Sequence, residues 1–99
     1  MSIDGVGRHI DRIMEEYNSG TSGTNVCYLQ AKWYGNFTAS GWTNYYSSKS
    51  TVCNSSVQYT GWYTVGDGYI VNNSRFYGYA QSNLSNGAWS PYASLAITA

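Results

Sequence analysis

The sequence predicts a mainly β protein: a small antiparallel β-sandwich or barrel of about seven short strands, preceded by a short N-terminal amphipathic helix. Three observations predict it. Six of the ten charged residues fall in the first seventeen positions, as Asp4, Arg8, Asp11, Arg12, Glu15 and Glu16. From Val26 onward apolar residues recur at every second position, the period of a half-buried strand. Turn-forming Gly, Asn, Ser and Asp interrupt that pattern at intervals of about ten residues. The expected organisation is therefore a helix over 1–20, a flexible linker over 21–25 and a β-domain over 26–99.

The helix is expected from Ile3, Val6, Ile10, Ile13 and Tyr17, spaced three, four, three, four. That is an a/d heptad seam. Arg12 and Glu16 form an i,i+4 pair of opposite sign beside it, and Asn18-Ser19-Gly20 supplies a stop. A lone helix this short is marginal in water, so the seam must pack on the β-domain or on copies of itself. β-branched residues at both a and d favour three or more strands, which makes these five residues the expected oligomerisation surface of a trimer or higher assembly.

Along the β-domain, Val26–Tyr34 places Cys27, Leu29, Ala31 and Trp33 on one face and Val26, Tyr28, Gln30, Lys32 and Tyr34 on the other. Gly35-Asn36 is the expected turn before a returning strand to Tyr46. Thr51–Tyr59 alternates again. Gly66-Asp67-Gly68 between Trp62–Val65 and Tyr69–Val71 reads as a hairpin. Arg75–Ser82 follows with Phe76, Gly78 and Ala80 inward, and Asn83–Gly87 turns. Ala88–Ala99 closes the domain, with Pro91 confining its start to an edge or a bulge. Lys32-Trp33-Tyr34-Gly35 and Arg75-Phe76-Tyr77-Gly78 echo one another. Cys27 and Cys53 both occupy the apolar phase, so a disulfide is the favoured reading and two buried thiols the other.

Composition narrows the function classes. The net charge is zero, so no field draws in nucleic acid or an anionic membrane. A neutral surface is also poorly protected against self-association. No apolar stretch has the length of a membrane span, and the N-terminal residues contain no apolar signal region. The lone histidine, His9, lies in the expected helix, and the β-region has a single carboxylate, Asp67. Acid–base and glycosidase chemistry need paired groups; a serine nucleophile needs a base; two cysteines and one histidine at these spacings match no zinc pattern. The expectation is no enzyme, no catalytic residue, no cofactor and no metal.

Four Trp and eleven Tyr remain, more than one small core holds. Trp42, Tyr45, Trp62, Tyr63 and Trp89 belong to ring-rich turns, and Trp42, Trp62 and Trp89 each lie next to a glycine or within a short polar turn, where a large ring stays exposed. They are the expected ligand-binding residues, by stacking and neutral hydrogen bonds that depend little on salt. A cell-surface glycan suits such rings. The leading expectation is a non-enzymatic oligomeric surface protein, extracellular or on a virion: a decoration, fibre or attachment component or a filament subunit. The alternative is a small secreted carbohydrate-binding or bacteriocin-like β-domain acting as a monomer, by its Tyr/Asn/Ser/Gly-rich character.

Overall fold

The computed structural model describes residues 1–97, with backbone alone at Gly66 and Asp67. Residues 98 and 99 of the expected closing strand lie outside the described residues. The chain is mainly β, built from antiparallel sheets. Its strands are β1 (Ser2–Val6), β2 (His9–Met14), β3 (Glu16–Asn18), β4 (Asn25–Cys27), β5 (Gln30–Phe37), β6 (Gly41–Tyr46), β7 (Cys53–Ser55), β8 (Val57–Tyr59), β9 (Tyr63–Tyr69), β10 (Ser74–Gln81) and β11 (Ala93–Ile97). They form a three-stranded sheet β1-β2-β9, a four-stranded sheet β11-β10-β5-β6 and two small pairs, β3-β8 and β4-β7.

The expected N-terminal helix is absent, and residues 2–18 form the three strands β1, β2 and β3, paired with one another and with strands of the β-domain. Two physical reasons account for this. Gly7, at φ 58°, opens the two-residue turn that brings Val6 opposite His9, and glycine at the first turn position is a hairpin signal. The three-residue spacing of Ile10 and Ile13, helical in appearance, is accommodated by a bulge. Asp4 pairs Arg12 while Gly5 pairs Ile10, so Asp11 is the extra residue. A one-residue slip moves side chains to the other face, and both isoleucines end up in the core at 1% and 0% exposure. Of the remaining seam residues, Ile3 pairs Ile13 and packs against that core, Tyr17 pairs Gln58, and Val6 stands out at 81% exposure. They line no helical seam.

The core forms where the two larger sheets meet. Ile10 and Ile13 come from β2; Ala31, Trp33 and Phe37 from β5; Phe76 from β10; Ile70 follows β9. The inward phases expected for Ala31 and Trp33 and for Phe76, Gly78 and Ala80 are observed. The expected turn at Gly35-Asn36 is not: β5 runs on to Phe37, and the chain reverses over Thr38–Ser40. Gly35 is small for a packing reason, since a Cβ there would meet Phe76 Cδ2 at 2.5 Å and Ile70 Cδ1 at 3.2 Å. Gly66-Asp67-Gly68 also makes no hairpin but lies within β9, where a Cβ at Gly68 would crowd Val65 and the Ile10 carbonyl. The echoed tetrapeptides are neighbours. Trp33 pairs Gly78 and Tyr34 pairs Tyr77 across β5 and β10. Each strand thus sets a large ring, Trp33 or Phe76, against the other strand's glycine.

Away from this core, β4 and β7 are joined by the Cys27–Cys53 disulfide between directly paired residues. Gln58 is buried beside them with its amide satisfied: Nε2 donates to the Val26 and Val52 carbonyls at 2.6 and 3.2 Å, and Oε1 accepts from Ser50 Oγ at 2.6 Å. The expected linker is held as well. Ser19 N–H donates to the Ser56 carbonyl, Gly23 N–H to Ser56 Oγ, and Ser56 N–H to the Thr24 carbonyl.

Candidate functional site

A strand puts alternate residues on opposite faces, so the inward phase of Trp33 and Phe76 also determines what the four-stranded sheet turns outward. From β5 it presents Lys32, Tyr34 and Asn36; from β10, Tyr77 and Tyr79; from β6, Trp42, Asn44 and Tyr46. Cross-strand pairing arranges them in rows. Tyr46, Lys32 and Tyr79 form one row, and Asn44, Tyr34, Tyr77 and Ser94 the next. Trp89 and Tyr92, from the segment leading into β11, fold back over this face.

The rings touch in a continuous strip. Tyr34 and Trp42 stack with centroids 4.9 Å apart and planes 25° from parallel. Trp42 reaches Tyr77 at 6.4 Å, and Tyr77 meets Tyr92 edge-on at 5.0 Å. Tyr92 leads to Tyr79 at 6.0 Å, and at the side of the strip Tyr46 meets Trp89 at 6.3 Å. Lys32 Nζ lies 4.4 Å from the Tyr79 centroid and 5.0 Å from that of Trp89. Such cation–π contacts contribute about 0.5–1 kcal/mol at exposed sites. Lys32, Tyr34, Asn44 and Tyr79 line a shallow depression in the strip. Trp42, Tyr46 and Tyr92 are each about half exposed, at 50%, 51% and 59%.

The five rings expected to bind ligand separate in the fold. Trp42 and Trp89 belong to the outward strip. Tyr45 and Tyr63 do not: they turn inward, 5.9 Å apart, and pack beside Phe37 and Trp33. Trp62 lies elsewhere, beneath the Arg12 guanidinium at 4.3 Å. Tyr34, Tyr46, Tyr77, Tyr79 and Tyr92 replace them in the strip. The period-2 phase carried the missing signal for Tyr34, Tyr77 and Tyr79, because each alternates with a core residue.

One buried titratable group lies outside the strip. Glu15, between β2 and β3, is 4% exposed. Its Oε2 accepts from Trp33 Nε1 at 3.1 Å, and its Oε1 lies 3.4 Å from the Met1 amine. Gly78 leaves the room it occupies, since a Cβ there would collide with Oε2. Burial pushes the Glu15 carboxyl above its ordinary range, and the neighbouring amine and indole N–H only partly oppose that. A raised carboxyl is a common mark of an active site. Here Met1, Trp33 and the β10 backbone wall it in, and neither surface depression includes it. It ties the β2–β3 connection to the Trp33 indole of the core. No described group of three or more His, Cys, Asp or Glu side chains could hold a metal ion. No helix among the described residues is long and apolar enough to cross a membrane.

Comparison with protein-family models, curated proteins and solved structures finds no match to this chain.

Proposed function

We propose that this is a non-enzymatic extracellular surface protein that works by contact, with the ring-lined face of the four-stranded sheet as its recognition face for a glycan. The observation that carries the reading is the strip from Tyr34 and Trp42 through Tyr77, Tyr92 and Tyr79. Rings locked against one another lose little entropy on binding. Sugar CH faces stack on aromatic faces, and the Asn44 amide with the tyrosine hydroxyls supplies donors and acceptors for sugar hydroxyls. The disulfide is consistent with an oxidising, extracellular setting. Titration of oligosaccharides monitored by tryptophan fluorescence tests the reading. Binding is expected to fall at least tenfold in Trp42→Ala and to persist in Trp62→Ala. Equal affinity in wild type and Trp42→Ala would overturn it.

A second reading is supported by the zero net charge: the same face packs against another copy, as in an oligomeric particle or filament component. The helical seam no longer supports assembly, so the ring strip is the remaining candidate interface. Light scattering across a concentration series separates the two, because only in the second reading does Trp42→Ala change the oligomeric state.

A further inference from the structure

The zero net charge conceals a division within the molecule. By sequence, residues 1–18 and β9 hold Arg8 and Arg12 against Asp4, Asp11, Glu15, Glu16 and Asp67, two cations against five acids. The rest of the chain has Lys32, Lys49 and Arg75 and no acid at all. Lys32 and Arg75 belong to β5 and β10 of the four-stranded sheet, and Lys49 lines a depression with Tyr28, Gln81 and Asn83 at the end of β10. The described ion pairs, Met1–Glu15, His9–Asp11 and Arg12–Asp4, all lie on the N-terminal side of this division. Lys32 is therefore a cation in a ring-lined depression, and among the described residues no carboxylate forms an ion pair with it.

Resting on the glycan reading above, we infer that the recognition face takes an acidic polysaccharide, with the carboxylate of a uronic acid unit placed on Lys32. The Tyr79 and Trp89 rings both contact the ammonium, and Lys32 lines the depression together with Asn44 and Tyr34. An ammonium has three donors and no acceptor, so a carboxylate is a better occupant than a hydroxyl. Lys32 and Tyr34 are two residues apart on β5, about 7 Å, a distance that one pyranose ring spans. The uronate ring can then lie on the Tyr34–Trp42 stack while its carboxylate meets Lys32. Phosphate polymers fit less well, because three cations without a continuous basic track give no footing for a repeating backbone charge.

The test uses paired oligosaccharides that differ only at the carboxyl: galacturonan, cellouronan and glucuronoxylan fragments, each with its methyl-esterified counterpart. Wild type is expected to prefer the free acid of at least one pair by about tenfold, the ratio given by about 1.4 kcal/mol. That preference should weaken as salt rises, while the stacking contribution persists. Lys32→Met keeps the stem and removes the charge; it should bind ester and acid alike, at the wild-type affinity for the ester. If acid and ester bind wild type equally, or if Lys32→Met keeps the preference, the inference fails and the glycan reading stands. If no member of any pair binds, the glycan reading itself fails. Near-UV circular dichroism confirms that Lys32→Met retains the packed rings.

Discussion

Truncating Ile13 decides between the two architectures that the first seventeen residues allow. In a helical seam, Ile13→Ala would weaken association and leave the β-domain intact. In the fold described here Ile13 is fully buried, faces Ile3 and Tyr63 across its two strand partners, and belongs to the central core. Removing buried methyl and methylene groups costs about 2–5 kcal/mol, depending on how far the site collapses. Small domains are stable by about 5–15 kcal/mol, so one truncation removes a large share. A loss of about 3 kcal/mol at a urea m-value of about 1.5 kcal/mol/M lowers the midpoint by about 2 M. Val6→Ala is the control: at 81% exposure it should change stability by less than about 0.5 kcal/mol. The assay is equilibrium urea unfolding of wild type and both variants, followed by tryptophan fluorescence, with light scattering on each. An Ile13→Ala variant that keeps the wild-type midpoint and only loses mass would refute the argument, as would Val6→Ala and Ile13→Ala behaving alike.

Gly35→Ala should destabilise by about 1–3 kcal/mol through overpacking against Phe76, and the cost should shrink in a Phe76→Leu background; a double-mutant cycle in urea measures the coupling. Replacing Cys27 and Cys53 together by Ala should cost about 3.5 kcal/mol, from the chain-entropy relation applied to the 26-residue separation; thermal unfolding reads this as a drop of roughly 15–25 °C, and reductant should leave that double variant unchanged. Burial raises the folded-state pKa of Glu15 above its unfolded value, so between the two the native state binds more protons, and stability declines as pH rises from the ordinary carboxylate range through the raised folded value. Glu15→Gln should abolish that decline, and unfolding free energies at a series of pH values would show a persisting slope if another group were responsible.

Local pattern determined much of this protein before any tertiary contact was known. The inward phases of Ala31 and Trp33 and of Phe76, Gly78 and Ala80 were legible because alternation is a property of the strand itself. So were the pairing of Cys27 with Cys53 and the polar turn after Gln81. Tertiary structure decided what alternation leaves open. Ile10 and Ile13 have a spacing that fits a helix, and only pairing with β1 and β9, with Asp11 as the extra residue, makes them adjacent core positions in a strand. Gly35 and Gly68 looked like turn residues, yet their smallness serves Phe76 and the Ile10 backbone, which are distant in sequence. Tyr45 and Tyr46 are adjacent rings of the same kind; the register of β6 against β5 sends one to the core and the other to the outward ring-lined face. Glu15 counted only as one of six charges in the first seventeen residues, and it is buried because Gly78, sixty-three positions on, leaves it room. A strand's sequence specifies which residues share a face, but which face meets which partner depends on pairings between distant segments, and those exist only once the sheets have assembled.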